Sequence, residues 1–187
     1  YFQHAFEIHQ RWSPFSSRQA SYTALELPNK GSEHPKHVIQ QGPGGHDYVL
    51  PLNGLPSERN PSKASGESFD WVPFDVEDRE MGDTQITDWA MSQLKSEHDQ
   101  PFFMGVGYYR PHIPLFAPQQ DFDVYPSADQ IQLPSVLAKD LGDMGAAGKQ
   151  WALEPITAGS HEIVEKSDQW REAVRAYLAC MTYVDRQ

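Results

Sequence analysis

Apolar residues recur at helical spacing in two parts of the chain, residues 83–98 and residues 167–187. Asp83 is the candidate N-cap of the first helix, and Ser167 is the candidate N-cap of the second. The predicted buried faces consist of Ile86, Trp89, Ala90 and Leu94 in the first part and of Trp170, Val174, Tyr177, Leu178, Met181 and Val184 in the second. Each pattern predicts an amphipathic helix packed on a core.

Between these helices lies a short apolar run at residues 102–107, Phe-Phe-Met-Gly-Val-Gly, without alternation of polar and apolar positions. Such a run predicts a strand buried on both faces of a parallel sheet. A helix followed directly by a buried strand indicates an α/β fold.

Glycine, proline and asparagine interrupt any period between residues 13 and 81, which indicates a loop-rich N-terminal half. We therefore divide the chain into a loop-rich segment at 1–82, a helix, strand and candidate active-site loop at 83–134, an irregular connection at 135–166 and a core helix at 167–187. The last helix pattern reaches Gln187 without a terminating glycine, asparagine or proline. We interpret the chain as an internal fragment of one longer domain.

The charge balance excludes one class of partner. The 187 residues include 15 Lys and Arg against 26 Asp and Glu, a formal net charge of −11, which argues against nucleic acid. No apolar run is long enough to span a membrane, and no segment has the pattern of a signal peptide. The single cysteine, Cys180, excludes an internal disulfide, and its apolar company predicts a small core residue.

The best candidate for chemistry is the loop Tyr108-Tyr109-Arg110-Pro111-His112-Ile113-Pro114, which follows the predicted buried strand. In α/β sheets ligands bind beyond the carboxyl ends of strands. The two prolines stiffen the backbone around His112. An imidazole beside the Arg110 cation can bind an anionic ester and pass a proton to a leaving group. The alternative is a loop histidine that hydrogen-bonds backbone carbonyls.

Four segments of the chain together resemble the type I sulfatases, with the iduronate sulfatase group as the most similar branch. These segments are residues 70–76 (Asp-Trp-Val-Pro-Phe-Asp-Val), the helix from Asp83, the stretch from Pro101-Phe102-Phe103 to Arg110-Pro111-His112-Ile113-Pro114, and residues 171–185. The resemblance is strong over 70–126 and from 170 to the end, and faint between 28 and 66.

The resemblance implies an alkaline-phosphatase-like α/β sandwich with a mostly parallel central sheet. It also implies that a cysteine oxidised to formylglycine attacks the sulfate ester beside a calcium ion. His112 matches the histidine that contacts the sulfate and helps the leaving oxygen depart, and Arg110 beside it is a candidate substrate-binding residue. His9 matches the histidine of an upstream Gly-Lys-x-x-His segment, but Phe6 occupies the lysine position.

The nucleophile and metal ligands of that family have no match in this chain. Cys180 is followed by Met-Thr-Tyr-Val, not by the Cys-x-Pro-x-Arg motif of formylglycine formation. The acidic residues Asp75, Glu77, Asp78, Glu80 and Asp83 lack the spacing of a calcium loop and indicate a solvated approach to a helix, and His34-Pro35-Lys36-His37 indicates a surface loop. We expect calcium and formylglycine in the full-length enzyme, and neither bound nor formed in this fragment, which should be inactive alone.

Three functions remain open. The first is a sulfuric ester hydrolase whose substrate is a sulfated sugar or polysaccharide and whose partner is the remainder of the sulfatase domain. The second is a phosphatase or phosphonate hydrolase of the same superfamily. The third is a degenerate, non-catalytic domain that binds glycans. The resemblance implies a secreted, periplasmic or lysosomal location.

Overall fold

A computed structural model describes the backbone of residues 22–26, 36–41 and 47–50, and backbone and side chains of residues 52–55, 70–153 and 161–187. Its strands are β1 (Tyr22–Glu26), β2 (Lys36–Gln41), β3 (Asp47–Leu50), β4 (Trp71–Phe74) and β5 (Leu115–Pro118). Its α-helices are α1 (Gly82–Lys95), α2 (Gln119–Phe122), α3 (Ala146–Leu153), α4 (His161–Lys166) and α5 (Trp170–Arg186). Short 3-10 helices cover Asp78–Glu80, Ala128–Gln130 and Asp140–Asp143.

The N-terminal strands form an antiparallel sheet in the order β1-β2-β3. Ala24 lies opposite Val38, and Ile39 lies opposite Val49. The prediction of a loop-rich segment, including a surface loop at His34 to His37, is therefore wrong for these ranges, since Lys36 and His37 belong to β2. Strands of four to six residues fit between the glycine and proline breaks that we interpreted as an absence of regular structure.

The core lies between a parallel pair of strands and helix α5. β4 and β5 pair with Trp71 opposite Leu115 and Phe74 opposite Pro118, and α5 packs against both strands. The largest buried hydrophobic cluster contains Leu55, Trp71, Met81, Leu115, Ala117, Phe122, Val164, Ala176, Ala179, Cys180 and Tyr183. The described part of the chain is thus mixed α/β, which confirms the predicted class, and its parallel sheet has two strands.

The predicted interior strand at residues 102–107 is wrong. These residues form no strand, and Phe102, Phe103 and Val106 are 51%, 84% and 42% exposed. A buried strand exists only where neighbouring strands pair with its backbone, and no strand in the described ranges does so here. The parallel pair comes instead from two segments whose strand character we did not predict, β4 and β5.

Helix α1 forms where predicted, but its cap differs and Leu94, predicted on its buried face, is exposed. Met81 is the N-cap, and it makes no side-chain capping bond. Asp83 occupies the second helical position, and its carboxylate bonds elsewhere, so the prediction of a capping Asp83 is wrong. Acidic residues also stabilise the first turn through the helix dipole, which is why the sequence signal was ambiguous.

Helix α5 also forms, with a different start and a buried face that agrees in part, since Trp170 and Val184 pack against the core cluster as predicted. Ser167 does not cap the helix. The backbone N–H of Ser167 donates to the carbonyl of Ile163 at the end of α4, and Asp168 then adopts a left-handed φ of 56°. Tyr177 and Met181 are about half exposed, contrary to prediction. The face packed on β5 instead carries Ala176, Ala179, Cys180 and Tyr183. Small residues let the helix backbone approach the sheet closely, and a pattern of large apolar residues misses them.

The predicted irregular connection at 135–166 contains two short helices, α3 and α4. α4 is anchored by Val164, which is buried in the core cluster, whereas α3 has no buried residue. None of the helices within the described ranges is long and apolar enough to cross a membrane.

Candidate active site

The loop predicted to carry chemistry lies directly before β5. The backbone N–H of Leu115 donates to the carbonyl of Asp70 over 2.8 Å, which joins the end of the loop to the start of β4. The loop therefore sits at the amino end of the parallel pair, not beyond the carboxyl end of a preceding strand as we had expected. The peptide bonds before Pro111 and Pro114 are both cis.

His112 presents an exposed side chain from a tight turn. Its backbone N–H donates to the carbonyl of Tyr109 over 2.9 Å, and the Tyr109 and His112 rings lie 5.3 Å apart, centre to centre. The ring nitrogen Nδ1 lies 2.5 Å from the carbonyl oxygen of Ile113. Because a carbonyl only accepts hydrogen bonds, Nδ1 is the donor in this contact. His112 is thus accessible and held in one tautomer by its own loop.

The carboxylate of Asp83 anchors the beginning of the turn. Its two oxygens accept the backbone N–H groups of Tyr109 over 2.8 Å and of Arg110 over 3.0 Å. Asp83 is 1% exposed, so both bonds are shielded from water. Sequence reasoning missed this role because the partners are 26 and 27 residues away and the pattern around Asp83 matches a helix cap equally well.

Arg110, which we predicted to bind substrate, is buried, and its substrate-binding role stays a prediction. The side chain is 3% exposed, and its Nε donates to the carbonyl of Phe116 in β5 over 3.0 Å. Its Nη1 is buried and has no hydrogen-bond partner among the described residues. The buried side chain of Arg110 therefore connects the loop to β5, whereas the side chain of His112 is exposed to solvent.

A family model with the description "Sulfatase" matches residues 15–187. The chain belongs to the sulfatase family. A protein named "Sulfatase" from Formosa agariphila is 37% identical over 116 residues, which cover 62% of this chain and 22% of the relative. The matched region thus spans about a fifth of the relative's length. No solved structure matches the chain.

Within this sulfatase chain, Cys180 has the environment of a core residue, as predicted. The thiol is fully buried, and its Sγ lies 3.6 Å from the carbonyl oxygen of Phe116. Burial raises the pKa of Cys180 to about 12, which keeps it a neutral thiol. A buried neutral thiol outside the Cys-x-Pro-x-Arg context does not fit a formylglycine precursor.

The carboxylates of the described ranges do not fit a calcium site. No group of three or more His, Cys, Asp or Glu side chains converges in that part of the sulfatase chain. Asp83 is engaged by backbone N–H groups, and Asp78 and Asp121 both bond Arg186, with 2.7 Å between Arg186 Nε and Asp121 Oδ1. Calcium prefers several converging oxygens, and these oxygens are dispersed and already satisfied.

His9 lies outside the described residues. Asp70, which we did not single out, is a buried carboxylate that accepts the N–H groups of Leu52, Asn53 and Trp71 over 2.6, 2.8 and 2.9 Å. Burial outweighs these bonds and raises the pKa of Asp70 to about 6.

Proposed function

We propose that the protein containing this chain is a formylglycine-dependent sulfuric ester hydrolase and that His112 contacts the sulfate ester. Membership of the sulfatase family supports hydrolysis of sulfate esters. The observation that carries the assignment of His112 is an exposed imidazole on a turn anchored by the buried Asp83. Catalytic side chains need such fixed positions.

The proposed role of His112 is proton transfer to the departing ester oxygen. The Ile113 carbonyl holds a proton on Nδ1, so Nε2 is the ring nitrogen that gains and loses a proton. Imidazole side chains exchange a proton near neutral pH. A proton delivered from Nε2 as negative charge develops on the leaving oxygen lowers the barrier without stabilising the bound ester.

Membership of the sulfatase family, and no residue in the described ranges, supports the part of this proposal that concerns formylglycine and calcium. We propose that the residues supplying both lie in parts of the protein outside this chain, and that the 187-residue chain alone does not hydrolyse sulfate esters. Turnover of an aryl sulfate by the purified chain would contradict this.

We propose a sulfated sugar or polysaccharide as the substrate and the iduronate sulfatase group as the branch, both on the resemblance of residues 70–126 and 170–187. The formal charge of −11 opposes a polyanion at long range. We propose that contacts at short range, or positive charge elsewhere in the protein, attract the substrate. A phosphate ester competes for the same contacts because it too is a tetrahedral anion.

The deciding experiment measures hydrolysis of matched aryl sulfate and aryl phosphate esters by the complete protein, with His112→Ala and His98→Ala as variants. His98 is a matched control because it is also exposed and also bonds a backbone carbonyl, that of Gln93. We expect preference for the sulfate and, for His112→Ala, a fall in kcat of about 10²- to 10⁴-fold that exceeds any rise in KM.

Two results would overturn the proposal. Preferential turnover of the phosphate ester would favour the phosphatase alternative. An unchanged kcat of His112→Ala, together with a lower melting temperature, would make His112 a structural loop residue.

A further inference from the structure

The turn that carries His112 is fixed on both sides by buried charged groups. On the side before His112, the carboxylate of Asp83 accepts the N–H groups of Tyr109 and Arg110. On the side after it, the guanidinium of Arg110 reaches forward to the carbonyl of Phe116. Hydrogen bonds to an ionised group are shorter and about twice as strong as neutral ones. The turn is thus clamped to α1 and β5 through side chains.

Asp83 is itself held in place through a hydrogen bond that joins the start of α1 to α5. It lies in the first turn of α1, where the helix dipole favours a negative charge. The next residue, Thr84, donates its backbone N–H to the hydroxyl of Tyr183 in α5 over 2.9 Å. Tyr183 is fully buried. The bond to Tyr183 therefore fixes the start of α1 relative to the core. The Asp83 carboxylate, in the same helical turn, fixes the backbone of Tyr109 and Arg110.

We propose that Asp83 is the positioning residue of His112: its buried carboxylate, through the N–H groups of Tyr109 and Arg110, sets where the imidazole stands relative to the ester. This inference rests on the proposed function of His112. Asp83 touches no reacting atom, so its effect on turnover passes entirely through the turn. A displacement of a catalytic group by about 1 Å is enough to cost roughly 10²-fold in rate.

The test uses the complete protein and Asp83→Asn, with Asp88→Asn as the matched control. The amide of Asn has nearly the same shape but offers one acceptor oxygen, so its NH2 group faces one of the two backbone donors. Asp88 lies on the same helix and is exposed, so its variant makes the same charge change away from the turn. We expect Asp83→Asn to lower kcat about 10- to 100-fold and Asp88→Asn to leave it within twofold.

A double-mutant cycle with His112→Ala separates positioning from general loss of structure. If Asp83 acts through His112, adding Asp83→Asn to His112→Ala lowers kcat no further, while its effect on the melting temperature stays the same in both backgrounds. A general structural role instead lowers kcat by the same factor in both backgrounds, which would overturn the inference.

The remaining outcomes are also decisive. Should Asp83→Asn not accumulate as folded protein, Asp83→Glu keeps both acceptor oxygens but shifts them by one methylene, and the same cycle is run with it. If neither variant folds, Asp83 is a structural residue and the inference fails. If His112→Ala keeps its kcat, the proposed function fails first. A large loss in His112→Ala with none in Asp83→Asn removes only the positioning role.

Discussion

The hydroxyl of Tyr183 in α5 caps the first turn of α1 by accepting the backbone N–H of Thr84 over 2.9 Å. The Thr84 hydroxyl lies at the same distance from the phenol oxygen. Met81, the N-cap, has no side-chain acceptor for the open N–H groups of this turn. A helix that lacks a local cap thus receives one from the core.

Removing this hydroxyl should destabilise the chain. We expect Tyr183→Phe to lower the free energy of unfolding by about 1–2 kcal/mol, because a partly buried N–H in the first turn of α1 loses its acceptor. Tyr177→Phe is the control, since Tyr177 lies on the same helix and is 45% exposed. Urea unfolding followed by circular dichroism measures both. Equal losses in the two variants would show that the Thr84 contact contributes nothing.

Arg110→Met should act on stability. The change removes the bond to the Phe116 carbonyl and a cation buried near Asp83 and Cys180, so we expect a loss of about 2–4 kcal/mol. Arg79→Met is the control, because Arg79 forms an exposed ion pair with Glu77 and its loss should cost less than about 1 kcal/mol. Unchanged stability with a raised KM in the complete protein would contradict this expectation and support the predicted substrate-binding role of Arg110.

Asp70 should make stability depend on pH in a defined window. Burial raises the pKa of its carboxyl from the usual 3.8 to about 6, so the folded chain binds this proton more tightly than the unfolded chain does. The free energy of unfolding should therefore fall as the pH rises from about 4 to about 6. Asp70→Asn should flatten this slope in a pH series of urea titrations, and the exposed Asp75→Asn should not. An unchanged slope in Asp70→Asn would contradict the assignment.

The Cys180 thiol should be unreactive while the chain is folded. It is the single cysteine, fully buried, and its pKa is raised to about 12. Thiolate is the reactive form. We expect modification by a chromogenic disulfide reagent to be at least roughly 100-fold slower in buffer than in concentrated guanidinium. Comparable rates in the two conditions would place Cys180 outside the core.

The parts of the fold that are encoded locally could be predicted from the sequence. α1 and α5 follow from apolar periodicity, and the burial of Cys180 follows from its neighbours. Residues 102–107 could not be placed correctly, because an apolar run becomes a strand only if other strands pair with it. The buried face of α5 was misassigned because Ala176 and Ala179 contribute little to an apolar pattern, although they determine how closely the helix packs.

In the candidate site, too, the features encoded by neighbouring residues could be predicted and those that depend on distant residues could not. The exposed loop around His112 could be located from its two prolines and from its resemblance to a family. The anchoring of that loop could not, because it depends on Asp83, whose hydrogen-bond partners are distant in sequence. A side-chain bond to a remote backbone leaves no periodic trace. The same reason hides Asp70, which bonds residues 17 and 18 positions earlier.

The exposed stretch at residues 102–106 has a consequence for handling the protein in solution. Two adjacent phenylalanines and a valine are open to water on backbone that belongs to no strand, and such segments template intermolecular pairing and aggregation. Self-association of the 187-residue chain should thus grow with concentration and begin here. Phe103 is 84% exposed and therefore has the least packing to lose of the three side chains. We expect Phe103→Lys to raise solubility with the smallest loss in the free energy of unfolding.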